Sequence, residues 1–190
     1  MKITKLEYQK NNPNRFNVYV DGKFAVGISA DDVIRLKIYK DQEISQDGLS
    51  TVISQSNFGK AFSAALNYLS FRPRSEWEVR LHLKRKKYED IDAVVEKLKD
   101  IGQINDQAFA QWWKEQRSSF RPKGQKAINV ELARKGVKVK IKIENEAELA
   151  TKLLLKKTFT SKEQAFRYLF SRGFGYDTIE AVIENAKFKV

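Results

Sequence analysis

From Phe58 onward, apolar positions recur at helical spacing. Phe62, Ala65, Leu66 and Leu69 fall at i, i+3, i+4 and i+7. That is one face of a helix that should end near Arg72-Pro73, because the residue before a proline is steered away from helical backbone. The next helix is predicted to open at Ser75-Glu76-Trp77-Glu78, a capping box in which a hydroxyl and a carboxylate each satisfy a free backbone donor. Within it Trp77, Val79, Leu81 and Leu83 alternate with Glu78, Arg80 and His82, which on its own reads as a strand.

An internal repeat decides between the two readings. Phe71-Arg72-Pro73-Arg74-Ser75 returns 49 residues later as Phe120-Arg121-Pro122-Lys123-Gly124. Leu83-Lys84-Arg85-Lys86-Lys87-Tyr88 aligns at the same offset with Leu132-Ala133-Arg134-Lys135-Gly136-Val137, and 37 residues further on with Leu169-Phe170-Ser171-Arg172-Gly173-Phe174. The counterparts of the alternating stretch, Ala127-Ile128-Val130-Leu132 and Phe166-Leu169-Phe170, have helical spacing, so all three copies are read as helices. Ser161-Lys162-Glu163-Gln164 repeats the capping pattern, and Gly173 is read as a helix-ending residue. Further helices carry Ile91, Val94, Val95 and Leu98; Phe109, Trp112 and Trp113 after an Asn105-Asp106 cap; and Ile179, Val182 and Ile183. The expected fold class is mainly α: three tandem three-helix repeats in an elongated curved array, in which each helical triplet covers its neighbour's apolar face. The expected divisions are 58–105, 106–146 and 147–190.

Residues 1–57 differ. Arg15–Val20 and Lys23–Ile28 flank Asp21-Gly22, a two-residue turn signal that predicts a β-hairpin. Facing Tyr19 with Phe24 sends Phe16, Val18 and Val20 to one sheet face and Phe24, Val26 and Ile28 to the other. Either both faces are covered or a bulge shifts the register. A short helix is expected after Ser29 and another after Ser45.

Charge sharpens this division. The formal net charge is +12, of which residues 1–57 contribute +1 (8 basic, 7 acidic) and the repeats +11 (28 basic, 17 acidic). Residues 72–87 sum to +5 and residues 114–142 to +8, which favours a polyanionic partner such as nucleic acid. Arg72 and Arg74, and in the second copy Arg121 and Lys123, precede helix starts, where free backbone donors already favour an anion. Lys84, Arg85, Lys86 and Lys87 close one helix, and Arg117, Lys126, Arg134 and Lys135 add to the second unit's field. The third unit's Lys157-Thr158-Phe159-Thr160-Ser161 keeps the capping serine but lacks the flanking cations, so units one and two are expected to hold nucleic acid.

Catalytic chemistry finds little support. There is no cysteine and a single histidine, which removes thiol chemistry and His-based triads. No phosphate-cradling glycine motif is present, and His82 reads as a surface or interface residue. Glu89, Asp90 and Asp92 leave a carboxylate-only metal nuclease as one alternative, and a sequence-specific helix-turn-helix regulator is another. Trp77, Trp112 and Trp113 are read chiefly as core or interface residues rather than base-stacking platforms. The start Met1–Glu7 lacks the apolar core of a signal peptide and no window suits a membrane span, so a cytoplasmic protein is the simplest reading.

Several motifs together resemble the RecX family of recombinase regulators. They are Arg72-x-Arg74-Ser75-x-x-Glu78-Val79 with Leu83, Ile101-Gly102-Gln103-Ile104-Asn105-Asp106-x-x-Phe109-Ala110, Arg117, and Glu131-Leu132-x-x-Lys135-Gly136-Val137. Arg167-x-Leu169-x-x-Arg172-Gly173-Phe174 with Ile179 extends the likeness into the last repeat, and the hairpin segment is similar to an extension seen in some members. One departure is Lys86-Lys87-Tyr88, where the family prefers Lys-Gly-aromatic. The resemblance implies a non-catalytic, cofactor-free modulator, expected as a monomer. It would lodge in the groove of the RecA filament on single- or double-stranded DNA without sequence preference. There it would restrain ATP hydrolysis, strand exchange and coprotease activity, which are processes of DNA repair, homologous recombination and the SOS response. Arg172 joins the expected filament-binding cations on this basis.

Overall fold

The computed structural model describes residues 1–120 and 122–186. Three strands, β1 (Ile3–Gln9), β2 (Asn12–Val20) and β3 (Lys23–Ser29), form an antiparallel sheet in the order β1-β2-β3. The hairpin turns through Asp21 and Gly22, both at positive φ (47° and 82°), as the Asp-Gly pair predicts. Tyr19 does face Phe24, and a bulge then shifts the register so that Val18 faces Val26 and Phe16 faces Ile28. The bulge is the alternative that lets both strands bury one face: Ile3, Val18, Val20, Val26 and Ile28 form a core with Ile38 and Val52, while Phe24 stays exposed. β1 has no counterpart among the sequence expectations, because a register irregularity between Ile3 and Lys5 breaks its alternation.

Helix α1 (Ala30–Arg35) is capped by Ser29, whose Oγ accepts from the Asp32 amide at 3.1 Å. Ser45 caps the next start by accepting from Gly48 N–H at 3.0 Å. From there α2 runs unbroken over Gln46–Ser70, crossing the expected division at residue 57. No proline interrupts it, and its end at Ser70 agrees with the Arg72-Pro73 signal. There follow α3 (Glu76–Arg85), α4 (Ile91–Asp100), α5 (Asp106–Phe120), α6 (Gln125–Arg134), α7 (Glu146–Leu155), α8 (Lys162–Ser171) and α9 (Tyr176–Glu184). The stretch that alternates in sequence, Trp77–Leu83, is helical as the repeat requires.

The chain divides into two compact units, with divisions inside α2, α3 and α4. One comprises residues 1–68 and 82–98, and within it His82 stacks on Tyr68 with ring centroids 4.1 Å apart. The other comprises residues 69–81 and the chain from 99 on, around a core that includes Phe109, Ile128, Leu132, Leu153, Leu169, Phe174 and Ile179. Among the described residues, no helix is long and apolar enough to cross a membrane.

The three aligned helix ends share one backbone motif. Tyr88, Val137 and Phe174 N–H donate to the carbonyls of Leu83, Leu132 and Leu169 at 3.1, 3.0 and 3.3 Å. The preceding residue is left-handed in each: Gly136 (φ 74°), Gly173 (φ 81°) and, in the first copy, Lys87 (φ 58°). The missing glycine therefore does not alter the turn; a lysine adopts the same strained backbone.

The second repeat departs in one element. Where a third helix is expected, Val137–Ile143 is neither helix nor paired strand. Val137, Ile141 and Ile143 are buried, Val139 is half-buried, and Lys138, Lys140 and Lys142 are exposed. This period of two, carried by β-branched residues, favours an extended chain over a helix.

Candidate functional site

The first Phe-Arg-Pro loop and the second are each tied down by a carboxylate on the following helix. Glu78 closes the predicted capping box on Ser75: its amide donates to Ser75 Oγ, and Ser75 N–H donates to Glu78 Oε2, both at 3.2 Å. The same carboxylate takes Arg72 Nη2 at 2.7 Å and Nη1 at 3.3 Å, and Lys135 Nζ at 2.8 Å. Glu78 is only 9% exposed. Burial opposes its ionisation, yet Arg72, Lys135 and the Ser75 amide outweigh burial and lower its pKa to about 2.

Glu131 does the equivalent work in the second copy. It accepts from Arg117 Nε at 2.7 Å, from Trp113 Nε1 at 2.8 Å and from Lys123 Nζ. Burial again raises its pKa, and Lys123, Arg117 and Trp113 overcome that and hold the carboxyl below its ordinary range. The two clusters meet on Trp113: the Arg117 guanidinium lies 4.5 Å and Lys135 Nζ 4.4 Å from the indole ring. Arg72, Glu78, Lys135, Trp113, Arg117, Glu131 and Lys123 are thus one network, with two cations to each carboxylate. Each cluster carries a net charge of +1.

Beside the network, the same joint is built twice. Ser75 Oγ donates to Lys135 O at the end of α6 at 2.7 Å, and Gly124 N–H donates to Arg172 O at the end of α8 at 3.0 Å. At the first residue of α3, Glu76 N–H donates to Asp106 Oδ1 at 2.9 Å; at the first residue of α6, Gln125 N–H donates to Glu146 Oε1 at 2.6 Å. Backbone donors at the helix starts that sequence reasoning offered to phosphate are therefore taken up by Asp106, Glu146 and the Arg172 carbonyl.

The predicted cations among the described residues accordingly fall into three groups. Arg72, Arg117, Lys123 and Lys135 belong to the network. Arg74 is half-buried, lining a cleft with Asn105, Phe109 and Trp112, and Arg172 lies 4.8 Å from the Tyr168 ring with Nη1 3.5 Å from Pro122 O. Lys84, Arg85, Lys86 and Lys87 are exposed at the end of α3, and Lys126 and Arg134 on α6. Arg121 lies outside the described residues. Sequence reasoning missed Glu131 as a hub, because its partners stand 8 and 14 residues away. It also missed the lysines of 137–143, although their alternation was there to be read. Among the described residues, no cluster including Glu89, Asp90 or Asp92 could hold a metal ion. Trp112 and Trp113 pack against the core, whereas Trp77 is 46% exposed.

Comparison with known proteins agrees with this architecture. Residues 1–45 match the family model of the regulatory protein RecX N-terminal domain. Residues 61–98 match the first RecX three-helix domain and 105–141 the second. The chain is 32% identical to the regulatory protein RecX of Bacillus velezensis, over 98% of this chain and 78% of that one. It is 31% identical to that of Clostridium perfringens, over 96% and 94%. A crystal structure of regulatory protein RecX superposes with a TM-score of 0.74 at 27% identity, covering 97% of this chain and 99% of the other. RecX from Lactobacillus salivarius superposes with a TM-score of 0.59 at 25% identity, over 67% and 95%. Hairpin, tandem helical units and sequence agree throughout: the chain belongs to the RecX family of regulatory proteins.

Proposed function

We propose that this protein binds RecA filaments on DNA as a monomer and restrains them, slowing ATP hydrolysis, strand exchange and coprotease activity without catalysis of its own. The observation that carries the reading is the charge organisation within a RecX-family fold. Lys84, Arg85, Lys86 and Lys87 form an unbroken exposed cationic run, and the half-buried network leaves net positive charge beside both repeated loops. Exposed lysines and arginines attract phosphates whatever the base sequence, which suits a filament that forms on any DNA. Arg72, Lys123, Arg117 and Lys135 act mainly by fixing the loops, Arg74 and Arg172 flank them, and Lys126 and Arg134 extend the field. The action belongs in the cytoplasm, where DNA and recombinase meet.

Pelleting tests the binding step. The protein should sediment with RecA assembled on single-stranded DNA of arbitrary sequence and should remain in the supernatant with RecA lacking DNA and nucleotide. Equal recovery with and without filaments contradicts the proposal. Preference of about a thousandfold for one duplex sequence would instead favour a sequence-specific regulator.

A further inference from the structure

The segment Val137–Ile143, outside any helix or paired strand, turns its β-branched residues inward and its lysines outward in alternation. Its inward side is anchored on α6 by two amide side chains one turn apart. Asn129 Oδ1 accepts from Ile141 N–H at 2.9 Å, Asn129 Nδ2 donates to Ile141 O at 3.2 Å, and Gln125 Oε1 accepts from Ile143 N–H at 3.0 Å. Val137, Ile141 and Ile143 are held in the core. Lys138, Lys140 and Lys142 consequently project together into solvent, and none has an ion-pair partner among the described residues. Residues 132–143 contain no acidic side chain. The amides of Lys140 and Lys142 also make no backbone hydrogen bond among the described residues.

We infer that Lys138, Lys140 and Lys142 form a binding track for the sugar-phosphate backbone of single-stranded nucleic acid. Alternate residues of an extended chain are about 6.7 Å apart, comparable to the rise of one nucleotide in an extended single strand, so three successive phosphates can meet three successive ammonium groups. The buried isoleucines and the Asn129 and Gln125 anchors fix the backbone beforehand, leaving only the lysine side chains to be ordered on binding. A strand of another protein would need acceptors and donors alternating along the edge and counter-charges for three lysines, whereas a phosphate chain supplies acceptors and charge at every step. The inference deepens the proposed function, resting on its DNA contact and adding residues and strand type.

The test uses the full chain with fluorescently labelled oligothymidylate, followed by anisotropy across a salt series. The Lys138→Gln/Lys140→Gln/Lys142→Gln variant should bind at least tenfold more weakly at low salt, with a log-log salt slope shallower by about 2, three contacts at roughly 0.7 each. The corresponding triple arginine variant should retain wild-type affinity and slope. Independently, oligothymidylate should protect these three lysines from an amine-reactive label, as read by mass spectrometry of the wild-type protein. Binding by wild type with an unchanged slope in the glutamine variant, or labelling without protection, overturns the track and leaves the filament reading standing. Slope loss and protection with duplex but not with oligothymidylate overturn the single-strand assignment. Loss of filament binding with intact binding to naked oligothymidylate assigns the lysines to the recombinase and overturns it too. Absence of all DNA binding by wild type fails the DNA contact of the proposed function, and the track with it.

Discussion

Replacing Glu78 with glutamine should release the first loop and do so in a pH-dependent way. The carboxylate accepts from Arg72 at 2.7 Å, Lys135 at 2.8 Å and the Ser75 amide at 3.2 Å. Lowering its pKa from 4.5 to about 2 corresponds to a gross stabilisation of about 3.4 kcal/mol at 1.36 kcal/mol per pH unit. Arg72 and Lys135 retain 29% and 21% exposure, so solvent screening reduces this to about 2 kcal/mol. Glutamine keeps the volume but sets two cations against a neutral amide. Trp77, Trp112 and Trp113 all lie in the same compact unit as Glu78, so tryptophan fluorescence in a urea titration reports on that unit. Glu78→Gln should unfold it about 2 kcal/mol more easily at pH 7. Because the folded-state pKa is depressed, the wild-type advantage is complete above pH 4.5, shrinks as pH falls and disappears near pH 2. A deficit under about 0.5 kcal/mol at pH 7, or one that is the same at pH 3 and pH 7, would refute the reasoning.

Two further substitutions test the repeat joints and helix ends. Gly124→Ser, which installs the residue of the first copy, should cost more than about 2 kcal/mol, because a Cβ at Gly124 would stand 2.2 Å from Gly173 O; wild-type urea stability would contradict the close approach. Lys87→Gly should raise stability by about 0.5 kcal/mol, since relief of left-handed strain exceeds the added freedom of the unfolded chain; a lower thermal midpoint would show that Lys87 is not strained.

Local chemistry was readable in the sequence wherever its partners lay close along the chain. The Asp21-Gly22 turn, the Ser75–Glu78 box and the triplicated Leu-to-aromatic helix ends each reside in a few consecutive residues, and each is formed. The hairpin's conflicting faces even pointed to the bulge. Long-range pairing was hidden: Glu78 had a sufficient local purpose as a cap, so nothing along the chain announced Lys135, 57 residues away, as its partner. The sequence therefore showed the loop cations without the carboxylates that Arg72, Arg117, Lys123 and Lys135 pair with. Val137–Ile143 differs for another reason: a three-helix repeat over 106–146 implies a third helix there, whereas the two-residue period of its β-branched residues opposes one. In α3 the same conflict resolved in favour of the repeat, because a Ser75–Glu78 capping box opens the helix and its alternating apolar positions include Trp77, Leu81 and Leu83, whereas every apolar residue of 137–143 is β-branched and no capping box precedes them.

The most direct test of the whole account is the rate of ATP hydrolysis by RecA assembled on single-stranded DNA, measured as this protein is titrated from substoichiometric to stoichiometric amounts. The rate should fall progressively at low and moderate salt. A rate unchanged across that titration, with the protein shown to be folded, would contradict it.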